Sequence, residues 1–214
     1  QLASGRVEDV YELFDHLRKP VERRAHPLLL HNLEICQGYI AAVCNDIDRI
    51  PSWLLQQEPL AVLNNQAHAF SLIVRGQAIM ALRNWPRLLA FAEKTESRIA
   101  PLGCLFGRLH LLLFKAVAES HLQRRNIALG EKYLRQALDL AKPDGILTSI
   151  AEYGSHLSPL LQRIANLYPE MRDLAQLHRL TKKYAALGKK HGAKKLTVHE
   201  SDIMDMVRQG ANNK

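Results

Sequence analysis

LFGRLHLLLFKAVAESHLQRRNIALGEKYLRQALDLAKP, Leu105 to Pro143, is the stretch on which the fold turns. Its first half is a long apolar pattern at helical spacing, which predicts a helix over 103–124. A short polar turn follows, and a second helical pattern fills 127–142 until Pro143 forbids its continuation. Two helices joined by so short a turn pack as an antiparallel pair.

Reading outward, the same pattern recurs on both sides. Helices are predicted over 6–19, 27–45, 59–83, 86–98, 156–167, 171–187 and 197–209, and no alternating β-branched run bounded by turn signals marks a strand. Pro27, Pro51, Pro59, Pro86, Pro101, Pro143, Pro159 and Pro169 fall mostly at or near the boundaries, where a missing amide donor does least harm. Gly38, Gly76 and Ala118 each lie inside a long apolar helix followed by a turn and another helix, with separations of 38 and 42 residues. A glycine in mid-helix costs about 1 kcal/mol relative to alanine, so small residues at matching positions predict close helix approach. The expected class is all-α, an α-solenoid of antiparallel helix pairs with 27–45, 59–83 and 103–124 on one side of the stack.

Within the decisive stretch, Ala118, Gly130, Leu134 and Ala137, with Pro143 just after, resemble the spacing of a tetratricopeptide repeat. The large aromatic expected early in that repeat is absent, and the pairs are spaced more widely. Longer, degenerate repeats of this kind resemble the sensor region of MalT-like members of the LuxR family of transcription regulators. Two segments extend that likeness: CNDIDRIPSWL, through Asp46 and Trp53, and GEKYLRQALDLAKPDGILTSIAEYGSHLSPLL. In the second, Leu134, Ala137, Leu138, Ala141, Gly145, Glu152, Gly154, Leu157, Leu160 and Leu161 are similar to the family's last repeat and closing helix, while Ile150 replaces an expected aromatic.

The C-terminal stretch LTVHESDIMDMVRQGANNK, Leu196 to Lys214, adds a third likeness. Thr197 and Glu200 have capping-box spacing, Ile203, Met206 and Val207 form one apolar helix face, and Gly210 supplies a helix stop. The positions Leu196, Thr197, Glu200, Ile203, Val207, Gly210, Asn213 and Lys214 closely resemble the first helix and turn of the LuxR-type helix-turn-helix. The expected organisation is a helical-repeat effector-binding domain over 1–178, a basic linker over 179–195 and the start of a helix-turn-helix domain over 196–214, in a piece of a larger protein. Sequence-specific DNA binding is then expected only through the remainder of that domain, since the motif's second helix supplies the base contacts.

Composition agrees with a globular chain. Hydrophobic residues make up 47% and charged residues 23% of the 214 residues, and the longest apolar run, LHLLLF, is far short of the roughly 20 residues a membrane span needs. Of the three cysteines, Cys36 and Cys44 lie about 12 Å apart along one predicted helix, beyond disulfide reach, and a reducing cytoplasm is the expected setting. The net charge of +8 is concentrated in Arg179, Lys182, Lys183, Lys189, Lys190, Lys194 and Lys195, with no Asp or Glu between them. That stretch fits either unspecific phosphate attraction or a solvated linker face.

No constellation for catalysis is present: HExxH, paired Glu-x-x-His, CxxC, GxSxG and a glycine-rich phosphate loop are all missing, so neither an enzymatic role nor a metal or cofactor is expected. What stands out is a polar stripe on an apolar helix, Asn64, His68, Ser71 and Arg75, at intervals of four, three and four. Arg108, Lys115 and Glu119 offer a similar stripe on the next pair. If the first helices of successive pairs line a concave side, these residues converge on a groove for a small polar or anionic ligand. The resemblance implies a bacterial inducer-responsive regulator, often with an ATPase module upstream, in which a small-molecule effector controls a C-terminal DNA-binding domain. Self-association is left open. A helical-repeat scaffold that grips a peptide or protein partner is the alternative.

Overall fold

The computed structural model describes residues 6–24, 26–55, 65–122, 126–167 and 173–191. Its helices are α1 (Val7–Arg23), α2 (Pro27–Val43), α3 (Asn65–Ala81), α4 (Trp85–Ile99), α5 (Leu105–His121), α6 (Ile127–Ala141), α7 (Leu147–Ala151), α8 (Gly154–Leu167) and α9 (Asp173–His191), with single 3-10 turns at Ile47–Arg49, Ser52–Leu55 and Ala100–Leu102. Among the described residues there is no strand, and no helix is long and apolar enough to cross a membrane.

Local chemistry fixes the helix ends. The Arg87 amide donates to Asn84 Oδ1 at 3.2 Å to start α4, the Leu129 amide to Asn126 Oδ1 at 3.1 Å to start α6, and the Gly107 amide to Cys104 Sγ at 3.3 Å to start α5. α2 and α3 stop in the same way, on a non-glycine residue in the left-handed region: Asn45 at φ 57 and Arg83 at φ 54. The Asp46 amide then donates to the Ala41 carbonyl at 2.8 Å and the Asn84 amide to the Ile79 carbonyl at 3.4 Å, closing both helices.

Neighbours in sequence are neighbours in space. α3 packs on α2, α4 and α5; α5 lies between α4 and α6; α8 covers α5 and α6; and α9 rests on α7 and α8 and touches α2. α5 is the central element because its residues from Leu109 to Glu119 are all buried, as a helix apolar on every side must be. One large core joins Ile40, Leu72, Ile79, Leu88, Leu113, Phe114, Leu134, Tyr153 and Leu160, and a smaller one joins Ile35, Ile50, Leu54, Val74 and Ala78 between α2, α3 and the turns that link them.

The small residues sit where helices come closest. A Cβ at Gly76 would overlap the Phe114 ring of α5, and one at Gly38 would overlap the Leu54 side chain, while Ala118 is fully buried. Several helix boundaries move from their predicted places. α5 is shorter than 103–124, α8 opens at Gly154 and carries Pro159 inside it, and the five-residue α7 is too short to show a periodic signal. α9 continues to His191, so the exposed Arg179, Lys182 and Lys183 ride on a helix. Residues 192–214, with the predicted helix over 197–209, lie outside the described residues, as do 56–64 at the start of the predicted helix over 59–83.

Candidate functional site

The link between α7 and α8 places Glu152 and Tyr153 against the middle of the molecule. The Tyr39 hydroxyl of α2 donates to Glu152 Oε1 at 2.5 Å, and Gln77 Nε2 of α3 donates to Glu152 Oε2 at 3.3 Å. One carboxyl therefore ties three segments together. Burial pushes its pKa up to about 7, and the hydrogen bonds from Tyr39 and Gln77 pull partly the other way. Its titration therefore falls near neutral pH rather than in the ordinary carboxylate range. Burial, and then the neighbouring Glu152 carboxyl, hold the Tyr39 hydroxyl firmly in its neutral form.

Behind Glu152, the fully buried Tyr153 shares a hydrogen bond of 2.5 Å with Nδ1 of His110, whose pKa burial drives down to about 3. In front of it stands a group of rings. Trp85 lies 4.5 Å from His121 and 5.5 Å from His156 between centroids, and the two histidine rings are 5.6 Å apart. Burial first, then the charges of His121 and Arg83, push His156 down to about 4, so it stays neutral at physiological pH.

These groups line a cavity of about 690 Å³ whose rim includes Asn45, Arg83, Ser155 and Tyr184. The last residues of α2, α3 and α5, Val43, Ala81 and His121, all border it. Three helix C-termini thus bring the partial negative end of the helix dipole to the space, beside the Glu152 carboxyl. The volume lies within the range of small-molecule sites, about 300–1,000 Å³, and the lining mixes apolar walls with a few convergent polar groups. Among the described residues no group of three or more His, Cys, Asp or Glu side chains is placed to hold a metal ion.

The residues singled out from sequence are distributed differently. Asn64 lies outside the described residues. His68 is half-buried, and Ser71, only 3% exposed, donates its hydroxyl to the His68 carbonyl at 2.7 Å, which satisfies it within its own helix. Arg75 lines a groove between α3 and α4. On α5, the buried Lys115 pairs with Glu96 Oε2 at 2.7 Å and lies 5.5 Å from the Tyr133 ring centroid. Glu119 is buried, and burial and then Glu93 raise its pKa; Arg108 is exposed and lines a separate cavity of about 300 Å³ with Glu96 and Cys104. Arg75 and Arg108 therefore face different spaces.

Sequence reasoning missed the set that does converge. Glu152 entered only as a point of resemblance, and Tyr39, Gln77, Trp85, His121 and His156 not at all. The one local signal was a lone carboxylate inside the apolar run ILTSIAEYG, since a buried acid demands partners from elsewhere in the chain. Compared with known protein families, with characterised proteins and with solved structures, the chain matches none.

Proposed function

We propose that this chain is the effector-binding region of a cytoplasmic transcription regulator resembling the MalT-like LuxR family. Its helix pairs stack as a tetratricopeptide-like α-solenoid, and a small molecule entering the cavity around Glu152 controls a C-terminal DNA-binding domain. It acts by binding rather than by catalysis. The observation that carries this reading is the cavity itself, because residues from α2, α3, α4, α5, the α7–α8 link and α9 all border one space of about 690 Å³. A ligand there touches nearly every layer at once, so its differential affinity for two arrangements of the stack becomes a change in their populations. The segment with the longest family resemblance, Leu134 to Leu161, is also the one that supplies Glu152, Tyr153 and His156 to the cavity.

The test is a thermal-shift screen of small polar metabolites on the parent chain and on Gln77→Ala and Trp85→Ala. A ligand at about 100 times its Kd stabilises the folded state by about 2.7 kcal/mol, a shift of several degrees. Loss of that shift in both variants supports the assignment. A ligand that shifts parent and variants alike binds elsewhere and removes the cavity from the proposal.

A further inference from the structure

α4 sorts its charges by face. Glu96 pairs with Lys115 of α5, and the charge of Glu93 is felt at Glu119 of the same helix, so the acids lie toward α5. The bases lie toward α3. Arg87, Lys94 and Arg98, at spacings of seven and four, line a groove of about 190 Å³ together with Arg75 of α3. No carboxylate lines that groove, and among the described residues none of the four cations has an ion-pair partner. Arg87 instead donates an Nη2 hydrogen to the Leu55 carbonyl at 2.8 Å.

Arg75 is held in place rather than splayed into water. Its guanidinium carbon stands 5.4 Å from the Phe91 ring centroid, and Phe91 meets Phe114 edge-on at 6.4 Å, the ring that fills the space left by Gly76. Its Nε is buried and lacks a hydrogen-bond partner. Burial, and then the fields of Arg87 and Arg98, lower its pKa. A cation kept beside two others, with an unused buried donor and a ring behind it, lacks a counter-charge that can also accept hydrogen bonds.

We propose that the groove between α3 and α4 is a binding site for an oxyanion of phosphoryl size, held by Arg75, Arg87, Lys94 and Arg98. The site is distinct from the cavity around Glu152. Arg75 and Gln77 are two residues apart on α3 and so point about 200° apart around its axis; one faces the groove and the other the cavity. The apolar walls, Ile79 and Phe91 among them, lower the local dielectric and strengthen a guanidinium–oxyanion pair relative to bulk water.

The experiment titrates inorganic phosphate and inorganic pyrophosphate into the full chain at constant ionic strength, followed by calorimetry and thermal shift. The variants are Arg75→Gln, Arg98→Gln at an exposed position, and Lys182→Gln on α9 as a remote control. Saturable binding by the parent and by Lys182→Gln, weakened tenfold or more in Arg75→Gln and Arg98→Gln, supports the site. So does an unliganded Arg98→Gln that melts no lower than the parent, since removing one cation relieves repulsion. A shift that sodium chloride reproduces, or binding undiminished in both arginine variants, overturns it. Binding of duplex DNA that depends on Arg75, with no response to either phosphate probe, also overturns it.

Discussion

Replacing Glu152 by glutamine isolates the cost of holding that carboxyl among Tyr39, Gln77 and Tyr153. Its ordinary pKa is 4.5 and its folded value is about 7, so between these limits the folded state binds more protons than the unfolded one. Stability therefore falls as pH rises through this window, and the loss is complete once pH exceeds the folded value. At about 1.4 kcal/mol per unit, the ionised carboxyl costs on the order of 3 kcal/mol above pH 7 relative to a neutral group of the same shape. Glutamine is that group. Its carbonyl can still accept from the Tyr39 hydroxyl, and Gln77, whose Oε1 is buried without a partner, can turn over to accept from the new amide.

The expected result is a Glu152→Gln variant close to the parent near about pH 4.5 and more stable by about 3 kcal/mol near about pH 8, with most of the gap opening between. Urea denaturation followed by circular dichroism at several pH values measures it. The difference between variant and parent is the quantity to plot, because His110 and His156 titrate in both proteins and cancel. A difference that stays flat from acid to alkaline pH would show that Glu152 ionises as an ordinary surface carboxyl, and the central tie of α2, α3 and α7–α8 would be lost with it.

Gly76→Leu places a branched side chain where the Phe114 ring already lies, so a loss of about 1 to 3 kcal/mol is expected from overpacking; an unchanged urea midpoint would mean that α3 and α5 are not in close contact there. Lys115→Met should stay within about 1 kcal/mol of the parent, because its partner Glu96 is 51% exposed and returns to water when the cation is gone. His156→Phe removes an imidazole that folding keeps neutral, with a pKa of about 4 against an ordinary 6.5. Because that depressed pKa gives stability present above 6.5 and lost as pH falls through 4, the variant should tolerate acid better, seen as a lower pH midpoint of acid unfolding; an unmoved midpoint would place His156 in water.

What could be read in the sequence and what could not divides along the distance over which each signal acts. Helix positions are written in neighbours at three and four, so α5 and α6 were legible from LHLLLF and YLRQAL, and the close α3–α5 approach from a glycine misplaced by helix propensity. The same local rule explains the polar stripe on α3 but not its fate. Ser71 can turn its hydroxyl onto its own helix and Arg75 can lean on Phe91, choices set by which helix lands opposite. The stripe on α4 was equally local and was passed over, because Arg87, Lys94 and Arg98 look like an ordinary solvated face until α3 brings a fourth cation to it. The Glu152 cluster lies beyond any such rule, since Tyr39 and Glu152 are 113 residues apart and are brought together by the packing of the α7–α8 link against α2 and α3. A buried carboxyl is nonetheless a debt announced in advance: its desolvation costs more than a marginal fold can leave uncompensated. Glu152 inside ILTSIAEYG thus required donors from other helices before any were known. The hydroxyl and amide that answer it come from Tyr39 of α2 and Gln77 of α3, so one side chain's need for donors joins three segments that no local pattern connects.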